Sequence, residues 1–144
     1  MPQISEEWLA KIKSSGYSLT QSRRAVVTII SGSGRALTPA EVCEAARQAY
    51  PALGLVSVYR TLEKLEQLGL VQRVHQTRGC QAFTPVAEGH QHLLICSRCG
   101  KVVQFEGDQL EALFSTVTDR TGYRIDRHWL QASGLCYSCQ HPDE

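Results

Sequence analysis

No stretch of this 144-residue chain approaches the roughly 20 consecutive apolar residues that a bilayer-crossing helix needs, so no membrane span is expected. The opening MPQISEEWLAKIKSSGY lacks a basic start, an apolar block and a small-residue cleavage site, so no secretory leader is expected either. A cytoplasmic location follows, in which disulfides among the six cysteines are disfavoured. No phosphate-cradling glycine loop and no nucleophile–base pair stands out, so the chain is not expected to be an enzyme. Charge of one sign is also scarce, the net being +1.

The distribution of charge says more than its sum. Residues 1–86 hold ten Lys/Arg against six Asp/Glu, and residues 87–144 hold five against eight. A basic first part and an acidic second part suit one phosphate-facing module joined to one with other work. A modest imbalance of this size also fits an ordinary solvated surface.

The first part reads helical. Residues 4–15 place Ile4, Trp8, Leu9 and Ile12 on one face, with Gly16 as a stop. Thr20 is the expected N-cap of a helix reaching about Ser31. Thr38-Pro39-Ala40-Glu41 combines a threonine cap, proline in the first turn and a glutamate that completes a capping box. That helix should end near Tyr50-Pro51. Ser57 is the expected cap of the next, whose stripe Val58, Leu62, Leu65 and Leu68 is closed by Gly69. LVQRVHQ and QAFTP then alternate around Thr77-Arg78-Gly79, a hairpin signature. Helices followed by a two-stranded hairpin form a winged-helix pattern over residues 1–84. Residues 85–89 read as a hinge.

Residues 90–144 change character. HLLIC and KVVQFE read as strands, 108–121 as an amphipathic helix with Asp108 as cap and Gly122 as stop, and 123–126 and 128–133 as returning strand. A unit this small needs help from a metal or a partner copy. Cys96-Ser-Arg-Cys99 and Cys136-Tyr-Ser-Cys139 are two knuckles offering four soft donors, the set zinc takes in closed structural sites. A thioredoxin-like motif or two disulfides compete with that reading, but a redox motif normally occurs once. Cys43 sits on an apolar helix face and reads as core. His90 and His92, two apart at the mouth of a strand, share a face as paired metal ligands do. Two histidines on a surface strand are also often only solvated.

Taken together, SLTQSRRAVV, VSVYRTLEKLEQLGLV, HQHLLICSRCGKVVQFE, the EAL step and RHWLQASGLCYSC resemble the ferric uptake regulator family over nearly the whole chain. The resemblance implies an α+β fold: an N-terminal winged helix-turn-helix joined by a hinge to a small C-terminal α/β dimerisation domain with structural zinc. It implies a metal-responsive repressor that binds palindromic operator DNA as a homodimer and controls metal-homeostasis or metal-linked stress genes. On it, Cys96, Cys99, Cys136 and Cys139 match the structural zinc site. His90, His92, Glu111 and His128 match a second metal site, for zinc or ferrous iron.

This sequence also departs from the family. The hinge-site ligands of relatives fall here on Ala36, Thr84, Gln91 and Leu93, and Gln104 stands where a further glutamate can occur. Either the His90/His92 site senses metal, or an altered hinge site recruits His75, Cys80 and Glu88. Cys80, a lone cysteine, reads as a small apolar filler before it reads as a ligand. As a ligand near the wing it would point toward a zinc-uptake-regulator-like member.

The resemblance further implies that helix 57–68 enters the major groove. Ser57, Tyr59, Arg60 and Lys64 would face DNA, while Arg23 and Arg24 contact its backbone. Ser22 replaces the family's glutamine, which removes one polar phosphate contact. Two rivals remain: a metal-independent or peroxide-responsive DNA-binding regulator with only structural zinc, and a redox protein using its paired cysteines.

Overall fold

The computed structural model describes residues 2–75, 81–86, 91–107, 109–126, 128 and 130–144. Four helices open the chain: α1 (Pro2–Ser14), α2 (Gln21–Ser31), α3 (Pro39–Ala46) and α4 (Leu55–Gln67). The expected start signals operate. Thr20 Oγ1 accepts from the Arg23 N–H at 3.2 Å. At Thr38 the capping box closes both ways, Glu41 N–H to Thr38 Oγ1 at 3.2 Å and Thr38 N–H to Glu41 Oε1 at 3.1 Å.

The end of α3 and the start of α4 differ from expectation, and the helix expected from 108 starts at Leu110 with Gln109 as its N-cap. α3 ends at Ala46 rather than near Tyr50. At its end the ladder tightens to bonds from Gln48 N–H to the Ala45 carbonyl (3.3 Å) and from Ala49 N–H to the Ala46 carbonyl (3.2 Å), while Arg47 Nε donates to the Leu53 carbonyl (2.8 Å). The chain turns there and buries Leu53. α4 begins at Leu55, capped by the extended backbone of Gly54 rather than by Ser57. Glycine serves at that position because it needs no side-chain bond to adopt the cap conformation. The four helices bury one core in which Trp8, Ile12, Val26, Ile30, Val42, Val58, Leu62 and Leu65 meet. Cys43 lies in that core, as its helix face implied.

Strands β1 (Val71–His75) and β2 (Gln81–Pro85) pair antiparallel and lean on the helices through Val71 and Phe83. A three-stranded sheet follows, in the order β4 (Val102–Glu106), β3 (Gln91–Cys96), β5 (Gln131–Gly134). β3 is antiparallel to β4 and parallel to β5. Between β4 and β5 runs α5 (Leu110–Thr121), stopped by Gly122 in the left-handed region at φ 72. A one-turn helix, α6 (Tyr137–Gln140), follows. Residues 123–126 are not strand, and the returning strand shrinks to Gln131–Gly134. Strand conformation persists only where a ladder takes its N–H and C=O groups, and β3 offers one from Leu93 to Cys96.

Of the expected hinge, Pro85 closes β2, while 87–89 lie outside the described residues, as does the expected cap Asp108. Among the described residues no helix is long and apolar enough to cross a membrane.

Candidate metal centre and nucleic-acid interface

Cys96 is the last residue of β3, and the chain must reverse at once to start β4. Gly100 makes that reversal in the left-handed region at φ 76, its N–H bonding to the Cys96 carbonyl at 2.9 Å. Parallel pairing with β5 brings the second knuckle alongside. Ser97 N–H and Oγ both bond the Gly134 carbonyl, at 2.8 and 3.1 Å, and Arg98 donates to the Cys139 carbonyl at 3.0 Å. As a result one sulfur from each of Cys96, Cys99, Cys136 and Cys139 lies within 4.8 Å of the others.

The Cys99 and Cys136 sulfurs are 3.8 Å apart. A tetrahedral zinc with Zn–S bonds of about 2.3 Å sets its sulfurs about 3.8 Å apart, so the thiol arrangement fits that ion. Four sulfurs converge on one point rather than forming two bonded pairs, which disfavours the disulfide and redox alternatives. The backbone N–H groups of Cys136 and Cys99 point at the Cys96 sulfur, at 3.4 and 3.5 Å. They pull its pKa down to about 5, the Cys136 N–H being the stronger cause. The Cys139 thiol is pushed up to about 12, first by its bond to the Cys136 thiol and then by burial. The cluster thus holds both a ready thiolate and a proton for an ion to displace.

The second expected site is assembled less tightly. His90 lies outside the described residues. The His92 ring is buried, 5.2 Å from that of His128 and 5.7 Å from that of Phe105. Phe114 of α5 packs on His128 at 4.6 Å. Glu111 is exposed and shares with His128 the wall of an open cleft of roughly 460 Å³. Among the described residues only the cysteine quartet brings three or more donors within 4.8 Å, so His92, Glu111 and His128 form a looser set. Of the alternative hinge set, Cys80 and Glu88 lie outside the described residues, and His75 ends β1 opposite Gln81.

Ala36 and Leu93, two positions where the resemblance puts hinge ligands, are each 3% exposed in an apolar cluster. Thr84, a third, is also buried.

On α4, Tyr59 and Arg60 are exposed and Ser57 half-buried, opposite the buried Val58, Leu62 and Leu65. Arg24 is exposed on α2. The other two expected contacts are anchored. Lys64 Nζ stands 4.4 Å above the Tyr17 ring, and the Arg23 guanidinium lies 5.8 Å from the same ring while bonding the Ser18 carbonyl. Both cations are thereby held on one side of the helical unit, ordered rather than free.

Sequence reasoning missed Tyr17, which sits in a non-periodic turn where nothing marks a side chain as a platform. It also missed Arg73. That residue ion-pairs with Glu66 of α4 at 2.8 Å, bonds Gln81 across the hairpin and stacks on Phe83 at 5.3 Å. It ties the β1–β2 hairpin to α4.

Residues 14–133 match the model of the ferric uptake regulator family. The Ferric uptake regulation protein of Neisseria meningitidis is 30% identical over 139 residues, covering 92% of each chain. Among solved structures, the Helicobacter pylori ferric uptake regulator Fur, which has three functional metal binding sites, superposes with TM-score 0.75. It is 25% identical, and the match covers 99% of this chain and 95% of that one. A zinc uptake regulator complexed with zinc and DNA shares the fold at TM-score 0.67 and 24% identity, covering 96% of this chain and 97% of that one.

Proposed function

Because the chain belongs to the ferric uptake regulator family, whose members are transcriptional regulators and not enzymes, we propose that it is a metal-responsive repressor binding a palindromic operator as a homodimer. The observation that carries the reading is the pairing of a helical unit with a hairpin wing and a thiolate cluster in one chain. Arg60 and Tyr59 project from α4 into solvent, Arg24 is exposed on α2, and Arg23 and Lys64 share the Tyr17 ring. In this reading α4 lies in the major groove, Arg60 reads a guanine edge or grips a phosphate, and Arg23 and Arg24 fix register. The zinc uptake regulator of the same fold, complexed with zinc and DNA, supports it.

Zinc held by Cys96, Cys99, Cys136 and Cys139 is structural. Closed tetrathiolate sites leave no open position for chemistry, and the ion supplies cross-linking alone. His90, His92, Glu111 and His128 are the proposed regulatory ligands. Nitrogen donors with one carboxylate suit a second divalent ion, zinc or ferrous iron.

The homodimer is supported by apolar surface that stands exposed among the described residues. α5 has no buried residue, and Leu113 and Val117 are exposed one turn apart. The cross-strand partners Leu94 and Val103 are exposed on the sheet. A helix with its apolar face open to water needs a partner surface.

The test is enrichment of duplexes from a random-sequence library by full-length protein carrying its thiolate zinc, with and without added zinc or ferrous iron. The expected product is a palindrome enriched with the added metal, and Arg60→Ala should weaken its binding by about tenfold or more. No enriched sequence under any metal condition would overturn the reading.

A further inference from the structure

α1 ends in a way that aims one side chain. Gly16, in the left-handed region at φ 90, lets the chain fold back on the helix it has just left. Its N–H bonds the Lys13 carbonyl at 3.1 Å, and the Tyr17 N–H bonds the Ile12 carbonyl at 3.2 Å. That nested pair of bonds closes a helix C-terminus and brings the residue after the glycine back onto the last turn. Tyr17 therefore packs, half-buried, against the helical core in which Ile12 lies.

Two helices share the ring placed in this way. Lys64 Nζ of α4 stands 4.4 Å from its centroid, and the Arg23 guanidinium of α2 stands 5.8 Å from it. The same turn fixes Arg23 a second time, since its Nη1 donates to both the carbonyl and the hydroxyl of Ser18. Neither cation meets a carboxylate: among the described residues the ion pairs are Arg73–Glu66 and Arg124–Asp126. An aromatic face attracts a cation through its quadrupole but carries no net charge. Two positive charges are thus gathered at one place and left uncompensated. Arg60, exposed one turn before Lys64 on α4, adds a third.

We propose that Tyr17 is a positioning residue of the nucleic-acid face, presetting Lys64 and Arg23 as a pair that grips the phosphates of one duplex. This deepens the function proposed above and rests on it. A lysine side chain free in solvent must give up its rotamer freedom when it grips an anion. Held over a ring it has given up that freedom beforehand, so binding meets a smaller entropy cost. An ammonium has three N–H groups, and one aromatic face occupies only one side of it. Phosphate is the anion that suits such a pair, because contacts of this kind fix a protein's register on a duplex without reading its bases.

Fluorescence anisotropy on the enriched palindrome tests it across a range of salt, using the full chain with its thiolate zinc retained and the added metal present. Tyr17→Leu keeps apolar bulk against the core and removes the aromatic face. It should weaken binding by about threefold or more, whereas Tyr17→Phe, which keeps the face, should stay within about twofold of wild type. Lys64→Gln should lower the slope of log affinity against log salt by about 1. On the Lys64→Gln background the cost of Tyr17→Leu should shrink by about twofold or more, because one cation it positions is gone. An equal cost on both backgrounds, tighter binding by Tyr17→Leu, an unchanged slope for Lys64→Gln, or Tyr17→Phe as weak as Tyr17→Leu would each overturn the proposal. If Tyr17→Leu does not fold, nuclear magnetic resonance on the wild type decides. The Lys64 ε-methylene protons should lie upfield of those of the other lysines through the ring current, with and without duplex. Protons at the ordinary lysine position in either state would overturn the proposal. If the wild type enriches no duplex, the DNA-binding reading falls and the proposal with it. A palindrome bound with equal costs on the two backgrounds sinks the proposal alone.

Discussion

The His92 imidazole lies so close to the backbone of Gly107 that a Cβ there would stand 2.3 Å from its Cδ2 and 2.5 Å from its Nε2. Real Cβ atoms do not approach so near, so any side chain at 107 must push the ring away. Gly107→Ala should therefore lower affinity for the second metal by roughly 10- to 100-fold, the range seen when a ligand loses its support. The thiolate zinc should stay bound. Competition against a chelator, with metal counted per chain, measures both. Unchanged second-site affinity would show that His92 is not a ligand.

Zinc loading should release protons. At neutral pH Cys96, with its pKa lowered to about 5, is already a thiolate, whereas Cys139, raised to about 12, keeps its proton. A thiol must lose that proton to coordinate, so affinity should fall as pH falls. For the metal-free protein the signs are opposite at the two sulfurs. The Cys96 contribution to stability is full above 9.0 and is lost as pH falls through about 5. The Cys139 contribution is full below 9.0 and is lost as pH rises toward about 12. Calorimetric zinc titrations in buffers of different ionisation enthalpy count the protons, and a count of zero would contradict the assignment.

Arg73 couples the wing to α4 through Glu66, Gln81 and Phe83. The ion pair is partly exposed, with side-chain exposures of 41% and 35%, so its own worth is about 0–1 kcal/mol after solvent screening. Arg73→Ala should thus lower Tm by only a few degrees. It should weaken operator binding several-fold through a looser wing, and Arg73→Lys should restore little, lacking the fork that spans Glu66 and Gln81. Melting and binding measured together separate the two effects.

Leu113→Glu should convert the dimer to monomer, because it puts charge at the centre of the open face of α5. Operator affinity should fall by about 100-fold or more, since linked half-sites gain that much from effective concentration. Sedimentation and binding on one preparation read both. A dimer that survives would move the interface elsewhere.

Much of this was legible because the signals are local. Thr38-Pro39-Glu41 is a cap wherever it occurs, Gly122 stops α5, and two cysteine knuckles imply one ion. One connecting segment was not legible. Gly34-Arg35-Ala36-Leu37, between α2 and α3, has no periodicity and gains its structure from bonds to Phe83 of β2, to Gly100 and to Val102 of β4. Residues 123–126 failed in the opposite way. Their local character suits a strand, but among the described residues no strand pairs with them. For the proposed histidine site the sequence offers only the His90/His92 pair; Glu111 and His128 come in by resemblance, since they stand on different parts of the chain and no short spacing unites them. Tyr17 and Arg73 act through the third dimension alone.

The parallel alignment of β5 on β3 sets an order of assembly. β3 and β4 close through a short turn, so their hairpin and the first thiol pair form early, as local contacts do. The third strand arrives only after the chain has threaded through β4 and all of α5, and the entropy of closing that longer loop must be met before its ladder repays it. In the interval β3 shows a bare edge and two unclaimed thiols to any neighbouring chain. Metal available while the polypeptide is being made would shorten that interval, because an ion held by the first knuckle would capture the second as it comes within reach.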